Sequence, residues 1–151
     1  MICTAWRILL VLWLVCVLLV ISLPWSRFDG IAHWTSIQWI PFMDLTWHRT
    51  VIVEAVLNIL AFVPVGYLSV RSVWSAKWSP LLMACVVGFV SSFSIETYQL
   101  FCLHRVPSVS DVLLNVIGTA IGAWLAFTID QILAWCSLRF RNFPAEFTDS
   151  P

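Results

Sequence analysis

Four long apolar runs divide this chain: Ile8 to Leu23, Val51 to Val70, Pro80 to Phe101 and Val112 to Trp135. Each is close to the roughly 20 residues that an α-helix needs to cross a bilayer core, so the pattern predicts four transmembrane helices. The third run opens on a proline, whose missing N–H is one that the first helical turn leaves unbonded anyway. The fourth follows Ser110 and Asp111, either of which suits an N-cap. Pro64 falls inside the second run and predicts a bend, because its ring removes a backbone donor. The first run follows Arg7 as a secretory leader would, but the small residues of a cleavage site are missing before Pro24 and Trp25, and it reads as an uncleaved span.

Composition agrees with the pattern. The chain is 61% hydrophobic and only 11% charged, with a mean hydropathy of +0.93, far from the balance of soluble domains. Its 151 residues leave no polar stretch long enough for a separate soluble domain, so residues 1–151 are expected to form one all-α membrane bundle. Eight basic residues balance eight acidic ones, which gives no reason to expect a nucleic-acid partner. The five cysteines stand singly, with no CxxC pair, and are expected to pack as small hydrophobes. His33, His48 and His104 fall between the runs without a second His at ligand spacing, so no metal site and no cofactor is predicted.

Basic residues set the expected orientation, since Lys and Arg concentrate in short cytoplasmic loops. Arg7, Arg71, Lys77, Arg139 and Arg141 share one face of a four-span protein, against Arg27, Arg49 and Arg105 on the other. Both termini are therefore expected in the cytoplasm. The long connection from Pro24 to Thr50 then lies on the outer side, where Trp25, Trp34, Trp39 and Trp47 suit the headgroup layer. It reads as an anchoring belt, or as a lid over what lies beneath. The segment from Pro144 to Pro151 reads as a polar tail.

The polar residues that interrupt the runs gather near the same, outer ends. Glu54 and Asn58 lie in the second run, Glu96 and Gln99 in the third, and Asp111 and Asn115 at the start of the fourth, with Arg105 in the loop between. At a rise of roughly 1.5 Å per residue all could reach one layer. Spacings of three or four residues put the members of each pair on a common helix face. A carboxylate deep in a membrane helix costs roughly 2.5–3.5 kcal/mol on insertion scales. An interhelical hydrogen bond returns about 0.6–2 kcal/mol, so Glu96 reads as functional and Gln99 as helix-to-helix glue. Glu54, Gln99 and Asn115 are the expected partners of Asn58. Arg105 can fork onto phosphate or onto a carboxylate, with Glu96 and Asp111 as the alternatives within the chain. Glu54, Glu96 and Asp111 against Arg49 and Arg105 leave one uncompensated negative charge if all ionise, so either a carboxyl keeps its proton or something positive binds. Gly118 and Gly122 form a GxxxG pattern that lets two helix backbones approach, within the bundle or, second, between two copies.

Taken in order, Glu54, Asn58, Phe62, Pro64, Gly66, then Ser94, Glu96, Gln99, then Arg105, Asp111, Asn115, Gly118 and Gly122 resemble the pattern of the VanZ-like family, and Ile40, Pro41 and Phe42 resemble its approach to the second span. The likeness covers about Trp39 to Ala126. Around the arginine the chain departs from the family's usual Phe or small residue, with Cys102, Leu103, His104, Val106 and Pro107. The resemblance implies a small polytopic protein of the bacterial inner membrane with an envelope role. The family takes its name from a member associated with low-level resistance to the glycopeptide teicoplanin.

The combined expectation is an envelope protein that engages membrane lipid, through a headgroup or a lipid-linked envelope precursor, at Glu54, Asn58, Glu96, Gln99, Arg105, Asp111 and Asn115. The alternatives are an intramembrane enzyme that uses Glu96 or Asp111 as general acid or base on a lipid-linked substrate, and a purely structural bundle. No nucleophile with a base and no metal spacing favours the enzyme.

Overall fold

The computed structural model describes residues 2–22, 27–42, 49–72, 79–103 and 105–141. Four helices dominate it: α1 (Ile2–Ser22), α2 (Arg49–Ser72), α3 (Pro80–Gln99) and α4 (Val109–Arg141). Three of them contain stretches long and apolar enough to cross a membrane, Val51–Ser72, Pro80–Gln99 and Val109–Arg139, while α1 contributes a shorter apolar stretch, Thr4–Val20. This is the all-α membrane bundle that the hydropathy pattern predicts. Trp25, Trp47, His48, Lys77, His104 and the 144–151 tail fall outside the described residues.

Glycines decide how the bundle closes. A Cβ on Gly118 or Gly122 would overlap the backbone of α2 at Ile59 or Val63, and one on Gly66 would overlap the backbone of α4 at Thr119. The two backbones meet with nothing between them, which only glycine permits. The GxxxG pair thus packs within the chain. Gly88 brings α3 to the same place, since a side chain there would strike that of Thr119. Around this seam Phe62, Val65, Thr119 and Ala123 are fully buried. α2 runs through Pro64 as one helix, and the Trp13 indole donates to the Ala61 carbonyl at 2.9 Å, tying α1 to it.

The two ends of the bundle are built differently. At the end where α1 starts and α4 finishes, Arg71 pairs with Asp130 at 2.7 Å, the Arg71 guanidinium lies over Tyr67, and Arg7 Nε donates to the Ser72 carbonyl. At the other end the connection between α1 and α2 is laced to the loop between α3 and α4. A two-residue ribbon, β1 (Arg27–Phe28) with β2 (Cys102–Leu103), begins the lacing. Main-chain bonds from His33 N to Leu100 O at 3.0 Å and from Gln38 N to Pro107 O at 2.9 Å continue it. Pro41 leads into Phe42 at φ 60, a left-handed position of the kind a type II turn requires after proline. The Phe42 N–H donates to Ser110 Oγ at 2.8 Å and fixes that turn to α4. Asp29 sits outside the helices with its carboxyl held below the usual range, first by the Ile31 N–H and also by His33.

The fourth helix starts earlier than its hydropathy predicts. It begins at Val109, and the capping oxygen belongs to Ser108, whose Oγ accepts the Ser110 N–H at 3.1 Å. Asp111 is therefore a first-turn residue and neither it nor Ser110 is the cap. A proline at 107 would be tolerated in a first turn, so it is the Ser108 hydroxyl, meeting the bare Ser110 N–H, that sets the boundary.

The lacing also shows where to test orientation. Thr35 is exposed on the laced side and Ser79 is exposed beside the start of α3 at the opposite end. With native cysteines replaced, an impermeant thiol reagent on intact cells is expected to label Cys at position 35 and not at 79. Labelling at 79 alone inverts the basic-residue assignment.

Candidate functional site

The laced end of the bundle encloses a cavity of about 520 Å³, within the range of small-molecule sites. α2 contributes Glu54 and Asn58 to its wall, α3 contributes Glu96 and Gln99, and α4 contributes Asp111 and Asn115. Arg105 enters from the loop, and Val20, Leu57, Ala61, Ile95 and Val106 supply the apolar remainder. All seven polar residues singled out in the sequence line this one space.

Each is placed by a local reason. Glu96 is buried on α3, and its Oε2 accepts the Ser108 main-chain N–H at 2.9 Å. That N–H is one that the start of α4 leaves without a helical partner, and the helix N-terminus also favours a negative charge. Asp111, released from capping, accepts a hydrogen bond from Asn58 Nδ2 at 2.7 Å. The partner of Asn58 is thus Asp111, not the expected Glu54, Gln99 or Asn115. The glycine seam explains this, because it draws α2 against α4 more closely than against α3. Asn115 is almost fully buried and donates through Nδ2 to Ser92 Oγ at 2.8 Å. Among the described residues none donates a hydrogen bond to its buried Oδ1. Gln99 is buried on the Glu96 face, and Glu54 stands exposed at the rim.

The electrostatics couple these groups. Arg105 is close enough to act on both Glu96 and Asp111, Asp111 acts on Glu96, and Glu54 acts on Asp111. Arg49, counted with the site on sequence grounds, is exposed at the first residue of α2 and does not line the cavity. Among the described residues, three carboxyl groups thus face one guanidinium, a formal surplus of two negative charges if all ionise. The lining can accept several hydrogen bonds from a ligand and offers one fixed cation for an anionic group. Among the described residues no group of three or more His, Cys, Asp or Glu could hold a metal ion.

Two residues that matter here escape a reading of the sequence. Ser92 lies four residues before Glu96 and so shares its helix face, whereas Ser94, which belongs to the recognised pattern, is exposed and bonds the Val90 carbonyl. Ser108 begins a Ser-x-x-Asp string, the usual mark of a helix start.

A bundle of apolar helices around a polar, charge-bearing cavity defines the class as a polytopic membrane protein. The sequence pattern of the VanZ/LLP1 family matches residues 6–133, and the chain belongs to that family. The match extends beyond the Trp39 to Ala126 core to take in most of α1. No curated protein and no solved structure matches the chain.

The two asparagines should fail differently. Asn115→Leu removes one interhelical hydrogen bond and is expected to cost about 1 kcal/mol. Asn58→Leu leaves the Asp111 carboxylate without its donor and should cost more, about 1–3 kcal/mol. Thermal unfolding in detergent measures both. An Asn58 variant as stable as the native protein would mean that the Asp111 contact carries no weight.

Proposed function

We propose that this VanZ-family protein binds the polar part of a membrane lipid, either a phospholipid headgroup or a lipid-linked envelope precursor, in the cavity at its laced end. One observation carries the reading: seven polar side chains from three helices and a loop surround a single space within an otherwise apolar bundle. Glue alone does not explain it. Polar residues that only join helices pair off and close the gap between them, whereas here Asn115 keeps an unused buried acceptor and the space stays open. In the proposed complex Arg105 meets a phosphate, Glu54, Glu96 and Asp111 accept from hydroxyl or amine groups, and Asn58, Gln99 and Asn115 orient them. The basic-residue count supports a reading in which this end faces outward from the bacterial inner membrane, with both termini inside.

The same carboxylates favour a second reading, in which Glu96 or Asp111 exchanges a proton with a bound lipid-linked substrate. A glycopeptide-resistance phenotype would follow from either, if the lipid concerned is a cell-wall precursor.

Lipid analysis of the purified protein separates these outcomes. Enrichment of one headgroup class over the surrounding membrane, lost in Arg105→Ala, is the expected result. Conversion of that lipid during incubation with the native protein would identify an enzyme. Equal lipid profiles for the native protein and the variant, with no lipid converted, would contradict both.

A further inference from the structure

A second concavity, of about 400 Å³, lies on the lateral wall of the bundle beside the polar cavity. Phe89 and Phe93 of α3 stack at 5.9 Å on one side of it, Val112 of α4 stands on the other, and Trp34 and Trp39 of the laced segment edge it. This groove is built. The segment that arches over it is tied down on both flanks, at Leu100 through His33 and at Pro107 and Val109 through Gln38. Its wall offers little to a polar ligand. The Thr97 hydroxyl is spent on the Phe93 carbonyl at 2.7 Å, and the Ser108 hydroxyl on the cap of α4.

The two spaces share one residue. Glu96 lines both the polar cavity and the apolar groove, held at that boundary by the Ser108 N–H. An apolar groove and an acceptor-rich chamber that share one carboxylate, in the side of a membrane bundle, match the two halves of an amphiphile.

We propose that one lipid molecule occupies both, with a hydrocarbon chain in the groove beneath Trp34 and Trp39 and its headgroup beyond Glu96 in the cavity. This rests on the headgroup reading above and adds the chain to it. Lateral entry follows, because the groove opens on the lipid side and the chain never leaves an apolar medium. Residues in the groove then decide which chains are accepted, and residues in the cavity decide which headgroups are.

The test uses the full chain in nanodiscs with phosphatidylethanolamine that carries a diazirine on one acyl chain. After photolysis, adducts on Phe89 and Phe93 are compared with adducts on the exposed α1 residues Leu12, Val15 and Leu19, which report ordinary surrounding lipid. Labelling in the groove is expected to exceed that on α1 several-fold. It should fall to the α1 level in Thr97→Trp and in Val112→Trp, which fill the groove from opposite walls, while labelling on α1 stays constant and reports an intact fold. It should also fall in Arg105→Ala. Groove labelling no higher than on α1, or unmoved by both tryptophans, overturns the proposal, as would crosslinks from Trp39 to a second copy in place of lipid adducts. Labelling that responds to the tryptophans but not to Arg105→Ala means an independent lipid in the groove, which overturns the single-molecule arrangement. The headgroup reading fails separately, if no lipid class is enriched on the purified protein.

Discussion

The Glu96 carboxylate and the Ser108 N–H from which it accepts a hydrogen bond hold the cavity-bearing end of this molecule together. A carboxylate buried between membrane helices persists only where donors satisfy it. Here the donor is a main-chain N–H at a helix start, which carries the positive end of the helix dipole. The bond fixes α3 against the first turn of α4 and sets the distance across the loop that carries Arg105. It also places one ionisable group where a polar chamber and an apolar groove meet.

The rest of the scaffold serves that placement through close backbone contact. Gly66, Gly118 and Gly122 remove the side chains that would hold α2 away from α4, and the approach lets Asn58 reach Asp111. With Asn58 committed to Asp111 and Asn115 to Ser92, side-chain amides join α4 to α2 and to α3 beside the cavity. Each such bond is worth little in a membrane. Together they fix the chamber's shape while Asn115 Oδ1 stays without a donor. The opposite end is closed by conventional means, an ion pair between Arg71 and Asp130 beside the Tyr67 ring.

Much of this is legible in the sequence, for a physical reason. Membrane helices tolerate so few polar residues that each one stands out, and residues spaced by three or four must share a face. Those two constraints, with the helical rise from each outer end, bring Glu54, Asn58, Glu96, Gln99, Asp111 and Asn115 to one level, beside Arg105 in the loop. Pairing is not legible, because it depends on which helices touch. Asn58 finds Asp111 only because glycines draw α2 to α4, and GxxxG does not say which helix it receives. Serines are easily passed over as well. Ser92 and Ser108 are small and only mildly polar, so they carry no insertion penalty to flag them, yet they supply the partners of Asn115 and Glu96. The groove is hidden for the opposite reason: its Phe, Val and Trp residues look like any lipid-facing surface until the laced segment is seen to arch over them.

Glu96→Gln tests the central claim most directly. The amide oxygen of glutamine can still accept the Ser108 N–H, so shape and hydrogen bonding survive while the charge and the exchangeable proton are removed. The account predicts that the variant inserts, accumulates and unfolds at the native temperature or above, yet no longer retains the headgroup class that the native protein enriches. Full retention of that lipid at unaltered or raised stability would contradict it, and would move the site to Arg105 and Asp111.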